Sequence, residues 1–458
     1  MQIKSQKVCK KAKSHSLSKL YFCGKIDINL SHGAVVQKDK RTLYSWALYD
    51  WANSAYATTV MAGFFPIFFK SYYSADVEAT LSTAYLGFAN SISSFIVVLI
   101  APLLGAMADS GSLKKRFLFL FAYLGILMSA ALALVSQGEW QLAAFIYILG
   151  NIGFMGADVF YDALLPSISD RKNVDYVSGL GFALGYLGGG ILFALNVAMV
   201  QNFSLLGLEN EAEAIKVSFI FVALWWALFS LPLFLFVEEK KGESKSALAL
   251  IKDGFIRLKN TFGKIREIKG IFLFLLAYWL YIDGVDTIIR MAVDYGMAIG
   301  FDSKNLIFAL LIVQFVGFPA TILFAKIAQL WDTKKAIFLA IGIYLFITLW
   351  ATMMQEVYEF YILAVMIALV QGGIQALSRS YYSKMIPKEH AGEFFGFYNF
   401  LGKFAAILGP LLVALVALFT QSSRASIGSV AILFILGAIL LYFVDEKKTA
   451  DEAKNALK

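Results

Sequence analysis

The chain has 458 residues, of which 59% are hydrophobic and 16% charged, against roughly 25% charged in an ordinary soluble domain. That composition excludes a soluble globular protein. The formal charge of +8 does not indicate a nucleic-acid partner, because the basic residues fall mostly in gaps between apolar runs, where membrane topology accounts for them.

Residues 1–43 read as a basic cytoplasmic tail. Its two cysteines, Cys9 and Cys23, are too far apart for a CxxC site and have no companion His or Cys cluster, so neither a disulfide framework nor a metal site is indicated. LYFCG at 20–24 resembles a lipoprotein cleavage site but lacks the apolar run and small residues that such a site needs.

Beyond the tail, apolar runs near the length of a helical crossing, about twenty residues, fall at about 45–69, 82–104, 117–137, 140–163, 176–200 and 215–237. They resume at 270–294, 304–325, 336–354, 359–380, 393–419 and 425–444. Lipid offers no partner to open backbone groups, so each run must be a helix or sit against protein. The pattern predicts an all-α membrane protein of twelve transmembrane helices in two six-helix bundles, 44–237 and 270–444, with a linker at 238–269 and a tail at 445–458.

Basic residues crowd the amino-terminal tail, the linker and the gaps SLKKR (112–116), DRK (170–172), DTKK (332–335) and SKMIPK (383–388). The alternate gaps SADVEA (74–79), ENEAE (209–213) and QEVYE (355–359) are acidic or nearly uncharged. The positive-inside tendency therefore places the basic gaps and both termini in the cytoplasm. Within the linker, Leu248, Ile251, Phe255, Leu258 and Phe262 recur at helical spacing among lysines and arginines, the pattern of an amphipathic brace between two bundles.

Ionisable residues inside spans are costly in lipid and ordinarily face a cavity or a partner. In span one, Asp50 and Asn53 share a face with Trp46 and Ala57, which suits a proton site, a contact to a substrate ammonium group, an inner gate or a plain bond to another helix. Span four repeats the pattern with Asn151, Met155, Asp158 and Asp162 in one stripe, Asp158 facing a cavity or bonding to another helix, and Asp162, at the cytoplasmic end, a gate residue or a brace for the neighbouring basic loop. Span five carries the small-residue ridge Gly181, Gly185 and Gly189, which permits close helix contact.

In span seven, Asp283, Asp286, Arg290 and Asp294 fall on one helix face. Asp286 and Arg290 can pair at the i,i+4 spacing. Asp283, nearer the span's centre, is the carboxylate the helix itself does not neutralise, which suits it either to load and release a proton or to hold the bundle together through a polar group on another helix. Gln371, Gln375, Ser378 and Arg379 share a face of span ten, with Arg379 at the cytoplasmic end as a gate residue. Asn399 and Lys403 lie one turn apart in span eleven, with Lys403 deep enough to answer a carboxylate.

The halves repeat. GAMADSGSLKKR from Gly105 and AKIAQLWDTKK from Ala325 place Lys114 and Lys115 over Lys334 and Lys335, with Asp109 and Asp332 in the corresponding loops. Pro166 matches Pro387, and Gly179 and Gly185 match Gly396 and Gly402 at nearly the same offset. Two tandem bundles related by an axis along the membrane normal suit alternating access by rocking of one half against the other.

GAMADSGSLKKR resembles the loop signature of the major facilitator superfamily, with Ser110 where a basic residue is common. LYDWANSAYATTV, FYDALLP, QGGIQALSRSYYSKMIP and GEFFGFYNFLGKFAAILGP resemble the branch named after the yeast vacuolar amino-acid effluxer of autophagy, over roughly residues 43–444. Asp162 stands where that branch often has asparagine. The resemblance implies the facilitator fold and export of amino acids such as leucine, isoleucine and tyrosine.

A zwitterion wants an anionic and a cationic contact at mid-membrane, and Asp50 or Asp283 with Arg290 or Lys403 would supply them. The expected function is secondary active transport of a small solute, most simply an amino acid, coupled to protons, by a monomer in the bilayer of a bacterial inner membrane. A carrier of a sugar, nucleoside or hydrophobic drug and a non-transporting sensor or scaffold are the alternatives. An enzyme is disfavoured, since the three histidines, His15, His32 and His390, all lie outside the spans and no nucleophile–base cluster or cofactor motif appears.

Overall fold

The computed structural model describes the backbone of residues 31–239, 254, 256, 263, 267–298 and 303–456. Within these, the side chains of 31–39, 290–298, 303–307, 403–408 and scattered others lie outside the description, and with them those of Arg290, Asp294 and Lys403. Most of the linker helix expected at 247–265 also lies outside the described residues. The chain divides into residues 1–38, of which 31–38 are helical, and residues 39–458.

The described chain is all-helical. The first helix, α1 (Ser31–Ala55), runs on through π-helical Tyr56–Phe64, α2 (Phe65–Phe68) and π-helical Phe69–Tyr73. There follow α3 (Ala79–Gly111), α4 (Lys114–Leu132), α5 (Trp140–Ile168), α6 (Val174–Gln201) and α7 (Glu211–Phe236). The second half holds α8 (Lys269–Ala298), α9 (Ser303–Leu330), α10 (Thr333–Ala351), α11 (Val357–Met385) and α12 (Ala391–Thr420). It closes with α13 (Ser423–Ser429), α14 (Ala431–Tyr442) and α15 (Glu446–Ala456).

Among the described residues ten helices are long and apolar enough to cross a membrane. The first predicted span lies in α1 and its π-helical continuation, and the eleventh is α12, part of whose side chains is not described. Buried apolar side chains gather into two cores, one from Trp46 to Val237 and one from Ile268 to Ala453 that also takes in Ala163. Helix ends are finished by side chains: Asn210 caps α7 through the Glu213 amide at 2.9 Å, and Asp332 caps α10 through the Lys335 amide at 3.1 Å.

The repeat is offset by one residue from the alignment of the lysine pairs. Lys115 Nζ donates to the Phe234 carbonyl at 3.0 Å and to that of Val237, closing the end of α7. Lys334, not Lys335, does the same for α14, donating to the Tyr442 and Val444 carbonyls at 2.8 and 2.7 Å. Lysine satisfies orphan carbonyls at helix ends, and that task fixes the equivalence of Lys115 with Lys334.

The halves meet closely at the end bearing the basic loops. A Cβ on Gly392 would lie 2.5 Å from the Gly105 carbonyl oxygen, and one on Gly179 would lie 2.5 Å from the Ala325 Cβ. Small residues thus bring α3 against α12 and α6 against α9 at backbone distance. The Gly181, Gly185 and Gly189 ridge faces its own half instead. Cβ atoms at the latter two positions would lie 2.6 Å from Ser54 Oγ and Thr58 Oγ1 respectively.

Gly392→Ala therefore wedges α3 from α12, an overpacking worth about 1–3 kcal/mol. A cysteine at Ala325, with Cys9 and Cys23 replaced by serine, should be alkylated about tenfold faster in that variant at the lower half of that range. An unchanged rate would mean that the glycine contact does not hold this end shut.

Candidate functional site

A cavity of about 350 Å³ lies between the halves. Its walls include Asp50, Asn53 and Thr58 from the first helical run, Asp158 and Asp162 from α5, Asp286 from α8, Gln375 and Arg379 from α11, and Asn399 from α12. Tyr161, Phe182, Tyr186, Tyr278 and Tyr398 supply aromatic faces. The π turn at Tyr56–Phe64 begins where the chain passes the cavity, and such bulges commonly sit at functional positions.

At the cavity's basic end stands Arg379, 3% exposed. Its Nη1 donates to Asp162 Oδ1 at 2.9 Å, its Nε to Ser178 Oγ at 2.9 Å and its Nη2 to the Ser178 carbonyl at 3.0 Å. Asp50 Oδ2 lies 3.6 Å from Nη2 and accepts from the Tyr161 hydroxyl at 2.8 Å. Asn399 Nδ2 donates to the other oxygen of Asp162 at 3.1 Å. The guanidinium sits over the Phe182 ring at 4.3 Å, a cation–π contact in a site shielded from water.

Two further carboxylates lock the halves on either side. Asp175, at the start of α6, accepts from Ser380 Oγ at 2.6 Å, Thr333 Oγ1 at 2.9 Å and Lys384 Nζ at 2.7 Å, all from the other half. Asp109 accepts the Gly392 and Glu393 amides at 3.0 and 2.9 Å, at the positive start of α12, while Lys114 Nζ pairs with it at 2.7 Å. Outside these, Arg171 pairs with Glu446 of α15 at 3.3 Å. Burial is the main reason the Glu446 carboxyl titrates above the ordinary glutamate range, with Lys384 and Arg171 pulling it the other way.

The structure brings together Asp50, Asn53, Asp158, Asp162, Asp286, Gln375, Arg379 and Asn399 on the central cavity. Asn53 Nδ2 donates to Asp158 Oδ1 at 2.8 Å, so the two residues form one unit of the wall. Asp162 reaches across to Arg379 rather than bracing the basic loop beside it, because its helix face points at the other half. Asp283 is fully buried, accepts the Gly409 amide at 2.9 Å and is not on the cavity lining. Gln371 lines a second, apolar chamber. Asp332 and Lys115 finish helix ends, and Gly105 and Lys114 belong to the seal.

Asp175, Ser178, Tyr161 and Lys384 were not singled out from the sequence. Asp175 reads as an ordinary acid at a helix start, and its three donors come from positions more than 150 residues away. The signal that was present is the glycine beside Ser178, which marks a face of α6 in close contact.

Removing Arg379 strands Asp162 and Asp50 in a water-poor site. Arg379→Ala should lower stability by about 3–5 kcal/mol in thermal unfolding of the purified protein, the usual cost of an orphaned buried charge. Arg379→Gln combined with Asp162→Asn and Asp50→Asn should recover most of that loss. Equal stability of Arg379→Ala and the unaltered chain would remove the pair from its sealing role.

Comparison with known proteins places this arrangement. Residues 77–454 match the model of the family described as Vacuole effluxer Atg22 like. A Bacillus subtilis (strain 168) protein, described as the Uncharacterized MFS-type transporter YxiO, is 42% identical over 416 residues, covering 89% of this chain and 95% of the relative. Autophagy-related protein 22 of Vanderwaltozyma polyspora is 21% identical over 500 residues, covering 92% and 94% respectively. A solved structure of the proton:xylose symporter XylE bound to 6-bromo-6-deoxy-D-glucose superposes with a TM-score of 0.69 at 13% identity, covering 93% of this chain and 100% of that one, and so shares its fold. The chain is therefore a multi-pass membrane transporter, not an enzyme, and belongs to the Vacuole effluxer Atg22 like family within the major facilitator superfamily.

Proposed function

We propose that the chain is a proton-coupled secondary transporter that exports an amino acid by alternating access. The observation that carries this reading is a polar cavity between two separate cores, shut at one end by ion pairs whose partners belong to opposite halves. Such a seal breaks when one half rocks against the other, and the cavity then faces the opposite side. The basic end is cytoplasmic by its lysines and arginines, so the closed seal described above faces inward. Twelve spans, cytoplasmic termini, two six-helix bundles and a bacterial inner membrane complete the reading, with a single chain as the working unit.

The family description, an effluxer, supports export. The proton role falls to Asp286, which lines the cavity, in preference to Asp283, which is held by a backbone amide inside its own half. A carboxylate on the cavity wall is wetted when the cavity opens and dried when it closes, and that change alone shifts its hold on a proton. Arg379 and Asp50 take the gate role.

The deciding experiment is transport by purified protein in liposomes with leucine, isoleucine or tyrosine, with and without an imposed pH gradient. Saturable movement that follows the gradient is the expected result. Asp286→Asn should abolish accumulation driven by the gradient while sparing exchange of labelled for unlabelled substrate. Full uphill accumulation by that variant would exclude Asp286 as the proton site, and the absence of any saturable flux would defeat the amino-acid reading.

A further inference from the structure

We propose that the cavity holds its solute by an ammonium group and an apolar body and does not read a carboxylate, so that apolar primary amines are ligands in their own right. The proposal rests on the reading above that this cavity is the transport site.

The first observation concerns the cation. Arg379 is the one cationic side chain among the described residues that line the polar chamber, and each of its three guanidinium nitrogens is already bonded to Asp162 or Ser178. A carboxylate on the solute would meet a guanidinium whose single charge is already answered by two of the protein's own carboxylates, Asp162 at 2.9 Å and Asp50 at 3.6 Å. A cation already facing two carboxylates repels a third anion through them and is a poor receptor for a ligand's carboxylate.

The second concerns anions and ring faces. Asp158 from one half and Asp286 from the other both reach the chamber, and a carboxylate has acceptor capacity for several donors at once. Tyr278 and Tyr398, stacked at 4.2 Å, and Tyr186 stand on the same lining. An ammonium ion between carboxylates and aromatic faces is favoured by both the charge and the ring quadrupole. Neither group favours a carboxylate.

The third is shape. Past Ala57, Thr58 and Gln314, which line both spaces, the polar chamber adjoins an apolar one of about 260 Å³ walled by Ile288, Val313, Leu363 and Ile367. A dry apolar cavity of about 150 Å³ already admits benzene, so this chamber takes a branched alkyl group or a ring. A molecule seated across the junction has a cationic head in one chamber and an apolar body in the other.

Isothermal titration of the full chain in lipid nanodiscs with three probes tests this: leucine, isopentylamine, which is leucine without its carboxyl group, and isocaproate, which is leucine without its amino group. Isopentylamine should bind within about threefold of leucine, and isocaproate at least about a hundredfold more weakly, or about 2.7 kcal/mol. Ala364→Phe, which fills the apolar chamber, should weaken isopentylamine at least about tenfold. Binding of leucine with isopentylamine weaker by more than about tenfold would overturn the proposal and leave the amino-acid reading standing, with Lys403 as the residue to test next. Binding of isopentylamine without leucine would do the reverse. Comparable binding of isocaproate, an unchanged affinity in Ala364→Phe, or no binding of either amine-bearing probe would each overturn it.

Discussion

A guanidinium buried between two halves of a membrane protein sets the terms for everything around it. Arg379 cannot shed its proton, and it sits where water is scarce. The surrounding chain must therefore supply anions and acceptors in the right places, and it draws them from the other half: Asp162, Asp50 and both oxygens of Ser178. The aromatic box of Trp46, Tyr161 and Phe182 excludes lipid and water and holds the carboxylates in place, with Trp46 stacked on Tyr161 at 4.2 Å. Gly181 is bare for the same reason, since a Cβ there would lie 2.5 Å from Asp50 and 2.8 Å from the Tyr161 hydroxyl.

The seal is built as one cooperative unit. Asp175 and Asp109 each gather donors from the opposite half, and small residues let the backbones approach closely enough for those bonds to form. Losing one bond leaves its neighbours in strained or solvent-poor positions, so opening favours the loss of all of them together. That gives two discrete arrangements rather than a graded series, the condition under which a small solute's binding energy shifts the balance. The cavity above the seal stays polar because its walls come from both halves, each presenting side chains that its own core has no room to bury.

The helical architecture and much of the cavity were legible in the sequence, because both follow from periodicity. Apolar length marks the spans, and a stripe at helical spacing places Asn151, Asp158 and Asp162 on one face of α5. The Tyr56 hydroxyl on Asn151 at 3.0 Å and the Asn53 amide on Asp158 at 2.8 Å show why that face is polar. What periodicity does not carry is which helix a face meets. Asp162 and Arg379 stand 217 positions apart, and nothing local to either announces the other. Asp283 illustrates the converse: a central carboxylate on a polar stripe, it is taken up by a backbone amide of α12, a group with no signature in sequence. The lysine repeat misled by one residue because adjacent lysines are interchangeable in an alignment and not in a helix cap.

The two sides of the central contact carry opposite charge: Asp50 and Asp162 belong to the first half, and Arg379 to the second. Either half alone would present an unanswered charge on a face shaped for close contact, two acids on one and a guanidinium on the other. A buried charge without its partner costs several kcal/mol. The bundles are thus electrostatically incomplete apart, and carrying both on one chain guarantees that each charge is made together with its answer.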